Sequence, residues 1–569
     1  MKKFLIAASF LAFGSSFAQE AGGMDPLKDK DMMTWYHKDL KTTGIYGVNT
    51  ENAYKFLESK GLKPKTVIVG VLDSGVEVDH PGLIGNMWKN PNEIPNNGID
   101  DDKNGYIDDI HGWNFIGSKN GDIDTDNLEV TRVYKMYKPL FEGGDTSTNK
   151  ANQAKMPEEF AMYMKSKDIF EKESVKAEKG FQRFNKINLA IPTMVKMLNG
   201  KNISPAVIAA IKPANSDETF ALEILSNVAK DPSMMGKTPA EFQAMMNEQI
   251  KGGLDYYDAQ ANKQYNLAFD PRAELVGDNY ADYSEKNYGN NHYEGPDALH
   301  GTHVAGIIAG LPHDGEVQYG VASKVAKIMS VRTVPNGDER DKDVANAIRY
   351  AVDNGAKVLN MSFGKPVSPG KNVVWAAFKY AQDKGVLLVK ASGNENEDIE
   401  KEVFYPTNFK SPNDAKPMFS NVIVVGASTD DPKALRANFS NYNKRMVDVF
   451  APGQEIYSTV VDGKYQYLQG TSMASPVVAG AATVLLAYMP TLKPYQIIEA
   501  LVNTSNRSTE SAMLTDGEDK TFDQVSRSGG VIDLKKAAEY AYTKFYKIAD
   551  PKKQVLRKGR KKMSKKKHK

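Results

Sequence analysis

Val67-Ile68-Val69-Gly70-Val71-Leu72-Asp73-Ser74-Gly75 is a run of apolar residues that ends in a carboxylate and a glycine. It lacks the polar–apolar alternation of a strand with one wet face. A continuous run of this kind suits a parallel strand covered on both sides. Asp73 then falls at the strand's C-terminal end, where open α/β sheets carry their active sites. Gly75 permits a tight turn after it. An Asp at such a place is, taken alone, more often a turn former than a reactive group.

The residues before this strand read as a loop and then a helix around Ala53 to Ser59, and 92–115 is loop, rich in Asn, Gly and Asp. Beyond residue 300 similar strands recur at Val325 to Val331, Lys357 to Met361, Val386 to Lys390 and Val422 to Ala427. Helical stretches alternate with them at Asp341 to Asn354 and Asn372 to Lys384. Ser472 to Tyr488, rich in small residues, Pro494 to Leu501 and Leu534 to Tyr542 complete the helices. Strands alternating with helices predict an α/β fold around a mostly parallel sheet. Between 128 and 285 the strand-like runs vanish, and Lys, Glu, Met and Ala dominate with helical spacing at 157–187, 217–230 and 238–266. This segment is expected to be a mostly α-helical insertion. No internal repeat is visible.

With 569 residues, 41% hydrophobic and 25% charged, the chain has a globular composition and length for a large core. Its net charge of +2 conceals an asymmetry. Eleven Lys and Arg and no acid fall within 552–569, so the rest of the chain carries a surplus of nine acids. The tail, 549–569, has no apolar periodicity and is expected to be disordered. Its charge suits an anionic envelope surface, or nucleic acid held by non-specific electrostatics. The surface is the reading we favour, and no specific nucleic-acid partner is expected.

Lys2 and Lys3, the short apolar run from Phe4 to Phe13, and Ser16-Phe17-Ala18 have the order of a secretory signal, with cleavage after Ala18. Residues 19–34 are then a short polar extension. No later segment is an uninterrupted apolar run long enough to span a bilayer, so no transmembrane anchor is expected. The chain contains no cysteine, which excludes disulfides, thiolate nucleophiles and Cys-ligated zinc.

Two further segments bear on chemistry. His300-Gly301-Thr302-His303-Val304-Ala305-Gly306 puts an imidazole at the start of a small-residue helix. Two histidines at i, i+3 also suit a metal pair, but no Glu or Cys nearby completes such a site. Gly470-Thr471-Ser472-Met473-Ala474-Ser475-Pro476 puts a hydroxyl at another helix start. A Ser there is ordinarily an N-cap, and a lone His is ordinarily structural. Together, a nucleophile, a base and an acid that holds the base in one tautomer are what acyl transfer needs.

The order Asp, His, Ser and these three motifs resemble the subtilisin-like serine peptidases. Ala391-Ser392-Gly393-Asn394 matches that family's oxyanion-hole segment. The likeness covers roughly 35–125 and 290–545. It implies a three-layer α/β fold, with the peptidase domain in 35–127 and 286–548, and a serine endopeptidase that hydrolyses polypeptides through an acyl-enzyme without a catalytic cofactor. Ser472 would be the nucleophile, His300 the base, Asp73 its orienting acid and Asn394 an oxyanion donor, while His303 would be a packed neighbour. Asn360-Met361-Ser362-Phe363-Gly364 resembles the strand that pairs with substrate, so Ser362, Phe363 and Gly364 are expected to contact it. Lys365 stands where the family usually has a second Gly, and is either part of the pocket or solvated. Phe404, before Tyr405-Pro406, stands where a smaller residue is common.

Asp100, Asp102, Asn104 and Asp108, with Gly105 at the sixth position, resemble a calcium loop, although His111 replaces the closing Glu. A structural Ca2+ is the expectation, against a solvated acidic turn. The sixteen or so residues between Ala18 and Trp35 are too few for the family's pro-domain. The insertion could be a lid over the site, a docking surface or a passive decoration. Two other functions share the same residues. A catalytically silent scaffold would present the helical insertion, and an esterase or peptide ligase would reuse the triad. The Gly-x-Ser-x-Gly elbow of α/β-hydrolases is absent at Ser472.

Overall fold

The computed structural model describes residues 30–514 and 517–547. The expected signal segment and the basic tail lie outside them. The described chain forms two compact units, one from Thr125 to Asp270 and one from the remainder.

The larger unit is built on a nine-stranded sheet. Its strands, in spatial order, are Asn506–Arg507, Gly530–Val531, Val449–Pro452, Val422–Ser428, Leu387–Ala391, Val358–Met361, Val67–Asp73, Ala326–Arg332 and Gly112–Asn114. Every pairing is parallel except the first, which is an antiparallel edge. The apolar run at 67–73 is central and covered on both faces. Val67, Val69 and Val71 join one core layer, while Leu72 joins the other, with Ile68 packed against it. The chain's progression reverses between Val67–Asp73 and Val358–Met361. The crevice outside their C-terminal ends is where such a sheet binds ligands. Register sets Leu72 beside Met361 and Asp73 beside Arg332.

The helix Thr471–Tyr488 has the length and apolar composition to cross a membrane, but 89% of it is buried inside the protein. It packs against the helix Leu299–Ala309 and the central strands. That is the environment of a core helix.

The smaller unit is helical. Its helices are Glu129–Phe141, Thr146–Lys155, Pro157–Met197, Pro205–Ala210, Ser216–Val228 and Pro239–Ala259. The longest has 41 residues and runs through Pro192 to Met197, ten residues past the predicted 187. Two small cores serve it, one around Ile191, Met194, Leu225 and Phe242, the other around Tyr134, Phe141 and Tyr163.

The insertion is shorter than the sequence reading, which carried it to 285. Residues 271–288 belong to the sheet-containing unit because buried ion pairs tie them there. Arg272 reaches Asp278 at 2.8 Å and Asp343 at 2.7 Å, and Lys342 reaches Asp278 at 2.6 Å and Glu285 at 2.7 Å. Tyr288 Oη donates to Asp343 at 2.6 Å. In sequence these charges look like the solvated face of a helix.

Candidate active site

Asp73 leaves the central strand at its C-terminal end, and the chain turns at once through Gly75, whose φ is +122°. A β-carbon on Gly75 would lie 1.9 Å from the Glu294 carbonyl oxygen, and one on Gly301 would lie 2.0 Å from the Gly75 carbonyl oxygen. Only bare backbone lets the helix Leu299–Ala309 begin this close to the strand end. As a result His300 Nδ1 lies 2.6 Å from Asp73 Oδ1. The same oxygen accepts the Ser74 amide at 2.8 Å. Asp73 is 2% exposed and the His300 side chain 26%. Burial pulls the imidazole's pKa down, but the Asp73 carboxylate, with help from Asp297, outweighs it and leaves the value above that of an ordinary histidine.

His303, one turn on, is of a different kind. Its Nε2 lies 3.0 Å from the Ile456 carbonyl and 3.1 Å from that of Gln466, and burial lowers its pKa to about 3. It is a neutral, packed side chain.

Ser472 opens the helix Thr471–Tyr488. Its Oγ donates to the Ser362 carbonyl at 3.1 Å, while Ser362 Oγ donates to the Ser472 carbonyl at 2.8 Å. Asn360 Nδ2 donates to Ser362 Oγ at 2.9 Å, and Asn360 Oδ1 accepts from Ser475 Oγ at 2.8 Å. The predicted substrate strand is thus stitched to the start of the helix that carries Ser472. Phe363 is buried, and Gly364 faces Phe404.

Asn394 is fixed by its oxygen. Oδ1 accepts the Thr471 amide at 2.8 Å and Thr471 Oγ1 at 2.9 Å, and the Gly393 amide donates to Thr471 Oγ1 at 3.1 Å. The amide group is thereby aimed at the turn before Ser472. A β-carbon on Gly470 would lie 3.4 Å from Asn394 Nδ2 and 3.5 Å from the Ser472 nitrogen, so both donors border one small space. Thr471, which sets this arrangement, sits inside the quoted motif, but nothing in its spacing marks its role.

Lys365 is not solvated. It is 1% exposed, and its Nζ donates to the Glu339 carbonyl at 2.7 Å and pairs with Asp341 at 3.0 Å. Both partners lie more than twenty residues away in sequence.

The predicted calcium set is only partly assembled. Oxygens of Glu93, Asp100 and Asp102 lie within 4.8 Å of one another. Asp108 is turned away, because its φ is +54° and its carboxylate caps the amides of Asn97 at 3.2 Å and Gly98 at 2.9 Å. Asn104 spends its side chain inside the loop, accepting from the Tyr106 amide at 2.8 Å and donating to Asp102 and Asp109. Glu93, which the spacing missed, enters from seven residues before Asp100. Its Oε1 accepts the Asp102 amide at 3.2 Å, while its Oε2 is buried with no hydrogen-bond partner among the described residues.

The family model described as "Subtilase family" matches residues 64–529. The chain is 38% identical over 253 residues to the cell wall-associated protease of Bacillus subtilis (strain 168), a match spanning 44% of this chain and 26% of that protein. It is 41% identical over 187 residues to thermitase of Thermoactinomyces vulgaris, covering 33% of this chain and 60% of that one. Against subtilisin DY of Bacillus licheniformis the identity is 35% over 213 residues, covering 37% and 72%. The chain thus spans about a quarter of the length of the cell wall-associated protease.

Proposed function

Because this chain belongs to the subtilase family, we propose that it is an exported serine endopeptidase, with Ser472 as nucleophile, His300 as general base and Asp73 as the group that orients the base. The observation that carries this is the 2.6 Å contact of His300 Nδ1 with Asp73 Oδ1 at the end of the central strand. Asp73 holds the proton on Nδ1 and so leaves Nε2 as the basic nitrogen. The Ser472 hydroxyl proton now rests on the Ser362 carbonyl. It leaves that acceptor for His300 Nε2 as Oγ attacks the scissile carbonyl. The oxyanion gathers between Asn394 Nδ2 and the Ser472 amide. His300 then protonates the departing amine, and water, activated by the same imidazole, hydrolyses the acyl-enzyme.

A serine-directed fluorophosphonate should label Ser472 and block hydrolysis of an unfolded protein substrate. Label on another residue, or hydrolysis that survives labelling, would sink the assignment, and a chain that is never labelled would be the silent scaffold. Asn394→Ala should lower kcat by about 10²–10³-fold, the loss caused by the same removal in subtilisin.

Glu93, Asp100 and Asp102 would hold a structural calcium ion. The buried, unpartnered Glu93 Oε2 is the feature that fits a cation, which would supply its missing partner. The ion would stiffen the loop before Gly112–Asn114. A chelator should lower the melting midpoint, and no shift would count against the site. Export is supported by the charged and apolar pattern of residues 1–18, so a mature chain should begin at Gln19. Salt-sensitive retention on anionic envelope surfaces is the behaviour proposed for the tail.

A further inference from the structure

If substrate is attacked as proposed above, its position is constrained. An extended peptide would lie along Ser362 to Gly364 with its carbonyl oxygen between Asn394 Nδ2 and the Ser472 amide. The side chain on the acyl side of the scissile bond would then point to the gap between Gly364 and Gly393, which face the same ring carbon. Neither wall carries a β-carbon there, so the gap has the makings of a pocket.

Phe404 occupies that gap. A β-carbon on Gly364 would lie 2.4 Å from Phe404 Cε1 and 2.6 Å from its Cζ, and one on Gly393 would lie 3.2 Å from the same Cε1. One edge of the ring therefore stands against both glycines. Its backbone is anchored beside the wall, because the next residue, Tyr405, exchanges amide hydrogen bonds with Lys365 at 2.8 and 3.0 Å. Over the ring face lies Lys390 Nζ, 4.4 Å from the centroid. Lys390 is itself 2% exposed and donates to the Ala391 carbonyl at 2.9 Å. The amine packs against the ring, so the ring is held on its face as well as its edge. Burial lowers the pKa of Lys390 to about 7, against the opposing pull of Glu339 and Glu395.

We propose that Phe404 is the specificity-determining side chain of this site. It fills the primary pocket, restricts cleavage to substrates with glycine, alanine or serine on the acyl side of the scissile bond, and shields the Lys390 amine from that pocket. The ring cannot retreat far, since the amine stands over its face and the Lys365–Tyr405 pair fixes its backbone.

Fluorogenic peptides that differ only in this residue test the assignment. The wild-type enzyme should favour alanine over phenylalanine in kcat/KM by about tenfold or more. Phe404→Ala should raise the phenylalanine-to-alanine ratio by at least about tenfold. It should also raise the glutamate-to-alanine ratio, because Lys390 then faces the pocket. In the double variant Phe404→Ala, Lys390→Met the glutamate gain should vanish while the phenylalanine gain remains. A wild-type enzyme that cleaves after phenylalanine or leucine as fast as after alanine would overturn the proposal. So would a Phe404→Ala profile identical to the wild type. Should Phe404→Ala not fold, the wild-type series still decides, and Phe404→Leu should move the ratio in the same direction. Fluorophosphonate labelling of Ser472 is followed alongside. A wild-type protein that takes no label and cleaves none of the series overturns the peptidase assignment, whereas a labelled enzyme with the wrong profile overturns only the role of Phe404.

Discussion

The helix Thr471–Tyr488 is buried along nearly its whole length, whereas the 41-residue helix Pro157–Met197 buries only Tyr163, Ser166, Ala177, Ala190, Ile191 and Met194. The two helices typify their units. Around the sheet, two apolar layers close over every central strand, and the interior is thick enough to hold Lys365, Lys390 and Arg332. A buried charge survives only with partners. Arg332 donates to the Ser74 carbonyl at 2.9 Å and to Asn114 at 3.1 Å. The helical unit has no such depth, and its stability rests on two narrow apolar stripes. Preorganised chemistry needs the thick interior, and the proposed site lies in the sheet-containing unit.

Ser472→Ala would test this contrast most severely. It should reduce kcat by about a millionfold, the loss the same removal causes in subtilisin, while leaving the unfolding of both units unchanged by calorimetry. Appreciable residual hydrolysis would mean that the chemistry lies elsewhere. Next in size, Asp73→Asn should cost about 10⁴-fold in kcat by releasing the imidazole tautomer. The pH profile of kcat/KM sharpens that test. His300 must be neutral to accept a proton, and Asp73 raises its pKa. Wild-type activity should therefore fall as pH drops through a value above the ordinary histidine 6.5. In Asp73→Asn only burial and the weaker pull of Asp297 remain, so the acid limb should move to lower pH. A limb that stays in place would exclude Asp73 as the cause.

Phe242 is fully buried in the helical unit. Phe242→Ala should destabilise that unit by about 3–5 kcal/mol, read as a lowered calorimetric transition, while short-peptide hydrolysis at 25 °C persists. A matching fall in the transition of the sheet unit would break the distinction between the two. The smallest test compares adjacent residues. Nothing lies within 4 Å of a β-carbon on Gly252, so Gly252→Ala should stabilise the helix by about 0.5–1 kcal/mol. A β-carbon on Gly253 would lie 2.3 Å from the Phe184 ring, so Gly253→Ala should destabilise by about 1–3 kcal/mol. Chemical denaturation of the two variants should give opposite signs.

The sheet and the residues of its crevice were readable from sequence because their signals are dense. Val67–Asp73 is apolar without interruption, and the motifs around His300, Asn394 and Ser472 are contiguous. The short strands Gly112–Asn114 and Val449–Pro452 were not readable, since neither is long enough to show a period among its Asn, Gly and Pro neighbours. Side-chain direction was equally hidden. Asp108 fits the calcium spacing, yet its backbone turns it onto Asn97 and Gly98, and Glu93 fits no template. Lys365, Arg272 and Lys342 look like surface cations because the carboxylates that draw them inside lie far off in sequence, save Asp278.

The glycines of the helical unit have one more consequence. Gly180 lies beneath the ring of Tyr257, and Gly253 beneath that of Phe184, so Pro157–Met197 and Pro239–Ala259 each carry a notch for the other's aromatic ring. A slip of one turn would drive both rings onto side chains at once. The pair is therefore keyed to a single alignment, with no half-slipped forms in between. A peptidase of the kind proposed cuts backbone that can be drawn out as a strand, and it lives among copies of itself. Keyed helices offer those copies little to grip, so self-digestion should be confined to the connecting turns, such as 199–203 and 211–215.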